Sequence, residues 1–230
     1  ERLKGVKGTV TGPDARPFFD DIMNGVVPAG DIESEEGFVG GVPGIRVRRT
    51  SGRHDCAILY LHGGGYVVGS PRAYVNFVGH MVSRAGIPAF VADYALAPER
   101  PFPAAIEDAR RAFNGLVDQG IRKIVLAGDS AGGGLALALL SQVRNGDPAP
   151  RAVVAISPWT DLALTSPSMR SRDAADPIWS AAALAEMARL YLGDTDPRDE
   201  RASPVYSDRR GLPPVLIHVG DAEILLDDSL

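Results

Sequence analysis

Cysteine is almost missing from this chain. Cys56 is the single one in 230 residues, so no internal disulfide can form, and a reducing compartment suits the chain. A cytoplasmic home is the expectation that follows. Basic charge is not in excess either. The 24 Lys and Arg face 29 Asp and Glu, a formal net charge of −5, and no run of Lys and Arg is long enough to form a binding arm. That removes the electrostatic footprint nucleic acid requires, so no nucleic-acid partner is expected. Long apolar runs are lacking too: none approaches the roughly 18 residues that span a bilayer. The start Glu1-Arg2-Leu3-Lys4 has no apolar signal core, so no membrane span or export segment is expected, and the lack of an initiator Met leads us to expect a native start further upstream. There is no repeat of fixed period, no low-complexity tract, and neither Gly-x-x-x-x-Gly-Lys-Ser/Thr nor Gly-x-Gly-x-x-Gly. Nucleotide phosphate binding is disfavoured accordingly.

What is present is a globular composition, 45% hydrophobic and 23% charged, enough for one sizeable core. Short apolar runs at 57–61, 88–92, 123–127, 152–156 and 215–219 alternate with helix-length segments at 72–84, 104–118, 131–143 and 180–192. Continuous apolarity at strand length suits parallel strands covered on both faces, and the strand-helix alternation predicts an α/β fold with a mostly parallel sheet. Residues 1–50, rich in Gly and Pro with one amphipathic helix over 16–24, read as a loose N-terminal cover, with the core spanning 51–230. The stretch 158–213 breaks the alternation, with one convincing helix among Pro158, Pro167, Pro177, Pro197, Pro204 and Pro213, and reads as an insertion over the mouth of the sheet.

Two motifs carry chemistry. In Gly128-Asp129-Ser130-Ala131-Gly132 a Gly-x-Ser-x-Gly pattern follows an apolar strand and opens an Ala/Leu-rich helix. A serine on so tight a turn is held at strained backbone angles, with its hydroxyl exposed at the strand's carboxyl end beside the positive end of a helix dipole. The plainer alternative is a Gly-rich turn in which Ser130 only caps the helix. In His62-Gly63-Gly64-Gly65-Tyr66, directly after the first core strand, three glycines remove side chains from one place so that backbone N–H groups can approach a substrate oxygen. Its plainer alternative is a flexible turn. Tyr66, Phe18, Phe19 and Trp159 are candidates for an acyl or alcohol pocket, each also an ordinary core residue type.

Together with Asp93-Tyr94-Ala95-Leu96-Ala97-Pro98-Glu99 and Gly220-Asp221-Ala222-Glu223-Ile224-Leu225-Leu226-Asp227, these motifs resemble the hormone-sensitive-lipase-like family of α/β-hydrolase esterases over nearly the whole chain. The resemblance implies an α/β-hydrolase fold with a helical cap. It implies a carboxylic ester hydrolase without cofactor or metal, acting on short- to medium-chain esters or small lactones, with amidase chemistry as a neighbour. Ser130 is then the nucleophile, and the N–H groups of Gly64, Gly65 and Ala131 are the oxyanion donors. His62 becomes a structural residue that fixes the glycine loop. Small-molecule esters are the implied partners, and family members often dimerise, so a homodimer is also allowed.

In similar proteins the acid follows the strand read here at 215–219, and the spacing to Leu225 and Asp227 puts Glu223 at that position, with Asp221 and Asp227 as alternatives. These acids would also suit a solvated helix start. The base is harder to find. Only His54, His62, His80 and His218 exist, and none lies beyond the acid, where the family's catalytic His stands. The expectation is therefore a fragment that lacks a final strand, the His-bearing loop and the last helix, leaving the strand at 215–219 as a bare edge. The rival from a different class is a catalytically silent hydrolase-fold protein that binds a small ligand.

Overall fold

The computed structural model describes residues 7–51, 53, 55–146 and 148–230. Its centre is a seven-stranded sheet built from β1 (Ile32–Val39), β2 (Val42–Arg49), β3 (Cys56–Leu61), β4 (Ala89–Ala92), β5 (Lys123–Asp129), β6 (Ala152–Ile156) and β7 (Val215–His218). The spatial order is β1-β2-β4-β3-β5-β6-β7. β3 to β7 are mutually parallel, whereas β1, β2 and β4 pair antiparallel. The expected α/β architecture is present, and its five parallel strands lie where the apolar runs placed them.

The reading of residues 1–50 as cover alone is corrected. β1 and β2 form a hairpin on the sheet's outer side, with Val39 paired to Val42 across Gly40 and Gly41, both at positive φ (59° and 75°). A two-residue Gly-Gly link matches the twist of a hairpin, so the turn was marked in the sequence. The strand before it was not: Glu33, Ser34, Glu35 and Glu36 of β1 are all exposed, because an edge strand with two solvated faces has no apolar alternation to show.

α2 (Pro71–Ala85) covers one face of the sheet, packing Tyr74, Val78 and Val82 against Ile58, Tyr60 and Val91, while α1 (Arg16–Met23) leans on it. On the other face α3 (Ala104–Asp118) and α4 (Ala131–Val143) bury Ile106, Phe113, Leu135 and Leu139 against Leu59, Leu126 and Val153. α5 (Ser168–Ser171) and α6 (Ala181–Leu192) fall within 158–213. Ser70 and Ser180 start α2 and α6 by accepting the N–H three residues on, the usual capping of an exposed helix start. Among the described residues no helix is long and apolar enough to cross a membrane.

Candidate active site

The parallel register brings the two motifs together. Leu61, the last residue of β3, pairs with Gly128 of β5, so the glycine loop and the Ser130 turn leave the sheet side by side. Ser130 sits between β5 and α4 at φ 51° and ψ −122°, an unfavourable region for a residue with a side chain. Main-chain bonds over-determine it. Its N–H donates to Ile156 O (2.8 Å), and its carbonyl accepts the N–H groups of Trp159 (2.9 Å) and Gly134 (3.0 Å). The turn closes only because Gly132 has no side chain: a Cβ there would stand 2.0 Å from Leu61 O and 2.5 Å from His62 O.

The glycine loop turns sharply at Gly64, whose φ of 121° suits glycine alone and whose carbonyl accepts from Val67 (3.0 Å) and Val68 (2.9 Å). Among the described residues nothing accepts the N–H of Gly64 or Gly65, or that of Ala131 in the first turn of α4. Two of these donors come from the loop and the third from the positive end of α4, an arrangement suited to a developing oxyanion.

Asp129 ties the two turns together, and sequence reasoning missed it. One carboxylate oxygen accepts Gly63 N–H (2.9 Å) and Tyr60 OH (2.8 Å), and the other accepts Tyr74 OH (2.8 Å). Desolvation raises its pKa, with the Tyr74, Tyr60 and Gly63 bonds opposing. A carboxylate ending an apolar strand was the available signal, but its three donors come from β3, the glycine loop and α2, which no local pattern connects.

His62 is fully buried and stacks on Tyr94, ring centroids 4.4 Å apart. Its Nδ1 lies 2.8 Å from Gly63 O, so Nδ1 carries the proton and donates. Burial pushes its pKa down to about 4. Tyr94 OH donates to His62 O (2.5 Å), and Arg16 of α1 bonds both Val67 O (2.8 Å) and Ala97 O (3.0 Å) while pairing with Glu99. The 93–99 turn thus braces the glycine loop from outside.

Glu223 follows β7 by five residues at the same carboxyl end of the parallel strands as Ser130, since Asp129, Ile156 and His218 are in register across β5, β6 and β7. It is half-buried, and its Oε1 accepts Gly220 N–H at 2.7 Å. Asp221 is exposed, and Asp227 accepts Ser168 N–H at 2.7 Å, so Asp227 is bound into the α5 turn. Of the histidines, His80 on α2 bonds Val27 O (2.8 Å) and His218 lies in β7, two strands from β5, and neither is hydrogen-bonded to Ser130. His54 falls outside the described residues. Tyr66 and Trp159 are buried, with Tyr66 stacked on Tyr191 of α6 at 3.9 Å, while Phe19 packs on Tyr74 and Phe18 is exposed. No group of three His, Cys, Asp or Glu among the described residues could hold a metal ion.

The family model described as the alpha/beta hydrolase fold matches residues 58–230. The acetyl-hydrolase of Streptomyces hygroscopicus is 45% identical over 188 residues, covering 80% of this chain and 62% of its own. An esterase from the bacterial hormone-sensitive lipase (HSL) family superposes with a TM-score of 0.90 at 41% identity, over 94% of this chain and 74% of that one. EstE5 soaked with p-nitrophenyl butyrate gives a TM-score of 0.88 at 42% identity, over the same 94% and 74%. The chain spans about three fifths of the length of the first curated relatives it matches.

Proposed function

Because the chain belongs to the hormone-sensitive-lipase-like family of α/β-hydrolases, we propose that the protein is a serine ester hydrolase working through an acyl-enzyme on Ser130. The strained Ser130 turn beside three unengaged backbone N–H groups is the observation that carries this reading. Ser130 Oγ attacks the ester carbonyl and gives its proton to a base. The N–H groups of Gly64, Gly65 and Ala131 take the charge on the carbonyl oxygen, the alcohol leaves, and water releases the acyl group.

In this reading Glu223 orients an imidazole, with one of its oxygens on Gly220 N–H and the other turned to the base. No described histidine stands at Ser130, so the reading requires an imidazole from outside the described residues. Sequencing the reading frame past Leu230 tests this: an apolar strand followed by a histidine supports it, and a stop codon overturns it.

Residues before β1, together with 158–213, serve as the cap. Tyr66 and Tyr191 stack beside the glycine loop, and Met187 Sδ would stand 2.1 Å from a Cβ on Gly65. That leaves little room there and favours short to medium acyl chains or small lactones. The name acetyl-hydrolase and the p-nitrophenyl butyrate soak, which belong to the relatives, point the same way.

Ser130→Ala is expected to lower p-nitrophenyl acetate hydrolysis by roughly 10³-fold or more. In the protein as its gene encodes it, an organophosphonate should add its mass at Ser130 and nowhere in S130A. Labelling no faster than free serine would overturn the enzyme reading. A silent small-molecule binder, favoured only by the lack of a described base at the elbow, would then be the better account.

A further inference from the structure

A second carboxylate stands behind the turn that carries Glu223. Asp176, between α5 and α6, is 3% exposed. Its Oδ2 accepts the N–H of Ile224 at 2.9 Å, and its Oδ1 accepts the N–H groups of Ile178 and Trp179, each at 2.8 Å. Its carbonyl in turn accepts from Lys7 Nζ at 3.0 Å. Ile224, the residue after Glu223, is itself fully buried. The peptide unit joining Glu223 to Ile224 is therefore gripped from the 158–213 segment, while Glu223 N–H donates back to Gly220 O at 3.2 Å.

Glu reaches an imidazole through one more rotatable bond than Asp, so its backbone must be held more firmly for the same aim. A carboxylate suits that grip because both of its oxygens accept. An Asn would present an NH2 group to one of the two sides and leave a donor facing a donor.

We infer that Asp176 is a positioning residue for the ester-hydrolysis reaction: it holds the Glu223 turn in place and locks it to the segment that leads into α6. The inference rests on the reading of Glu223 as the acid given under Proposed function. The same α6 presents Met187 to Gly65 and Tyr191 to Tyr66, so one carboxylate joins the acid-bearing turn to the cover of the oxyanion loop.

The test is a double-mutant cycle of Asp176→Asn and Glu223→Gln in the protein as its gene encodes it, read as kcat and KM for p-nitrophenyl acetate. Misplacing the acid by about 1 Å should lower kcat roughly ten- to hundredfold in D176N with KM nearly unchanged. In the E223Q background the same change should cost less than about twofold, because the group it positions is already lost. Equal fold-losses in both backgrounds would overturn the inference and leave the Glu223 reading standing. Undiminished kcat in E223Q would instead overturn the Glu223 reading, and the inference with it. If D176N does not fold, amide exchange in the unmodified protein decides: a protected Ile224 N–H supports the grip, and exchange as fast as at exposed Ala222 overturns it.

Discussion

The Ser130 side of the sheet and the β7 side are held by different forces. β3 is buried along its whole length, lies between β4 and β5, and delivers the glycine loop against the elbow through main-chain register. β7 pairs with β6 only among the described residues, alternates half-buried and exposed positions, and leaves Leu216 52% exposed. The turns beyond β7 are pinned by side-chain carboxylates. Asp228 accepts Thr160 N–H (2.8 Å), Asp161 N–H (2.9 Å) and Ser166 OH (2.6 Å), Asp227 accepts Ser168 N–H (2.7 Å), and Asp176 accepts Ile224 N–H (2.9 Å). On the packed side, register and close packing are supplemented by one buried carboxylate clamp, Asp129, whereas beyond β7 three carboxylates hold the turns, and such anchors titrate.

The largest effect should come from crowding the close-packed side. Gly132→Ala places a Cβ against Leu61 O and His62 O, backbone atoms on an interior strand and its loop that have no room to withdraw. We expect a loss of about 3 kcal/mol, or no soluble protein, by urea denaturation. A wild-type midpoint would show that the elbow has slack the geometry denies.

An intermediate effect should separate the two sides by pH. His62, on the packed side, is lowered to about 4 in the fold from 6.5. Its contribution is complete above pH 6.5 and is lost as pH falls through 4, by about 3 kcal/mol. Asp228, on the anchored side, is raised to about 6 from 3.8, chiefly by burial, against the bonds from Ser166, Asp161 and Thr160. Its contribution is complete below pH 3.8 and is lost as pH rises through 6, again by about 3 kcal/mol. The two slopes oppose each other between pH 4 and 6, so removing one exposes the other. Asp228→Asn keeps an acceptor for the Thr160 and Asp161 N–H groups and removes the opposing slope. The D228N midpoint in urea should therefore climb from pH 4 to 6.5, and a profile parallel to wild type would contradict the assignment.

The smallest effect belongs to the edge itself. In the 230-residue chain, where β7 pairs with β6 alone among the described residues, Leu216→Thr should leave stability within about 0.5 kcal/mol while lowering aggregation measured by light scattering, since it removes a half-exposed apolar side chain. Unchanged scattering would mean that the edge is not the sticky surface.

The parallel half of the sheet was legible because strands covered on both faces must be apolar throughout, as 57–61 and 152–156 are. β1 was illegible for the converse reason: its four consecutive polar residues face water, and only antiparallel pairing with β2 makes them a strand. At the site, the Ser130 turn and the glycine loop could be read because both need small residues at fixed spacing. The brace formed by the 93–99 turn depends on the tertiary structure, since Arg16 of α1 supplies the bonds to Val67 O and Ala97 O. Tyr60 lies in an apolar run and Tyr74 in a helix-length segment, and both are buried, yet it is their hydroxyls that carry the clamp on Asp129, which neither pattern marks.

By itself, the amino-acid order determined the strand-turn-helix at Ser130, the bare-backbone loop at Gly63 to Gly65 and the α/β layering, since each follows from local sterics or from an apolar period. Only the tertiary structure decided which acids became anchors. Asp129, Asp176 and Asp228 all bind backbone N–H groups far away in the chain. Every residue except proline carries such a donor, so no residue pattern marks the partner, and only the folded path brings the chosen N–H within 3 Å of the carboxylate.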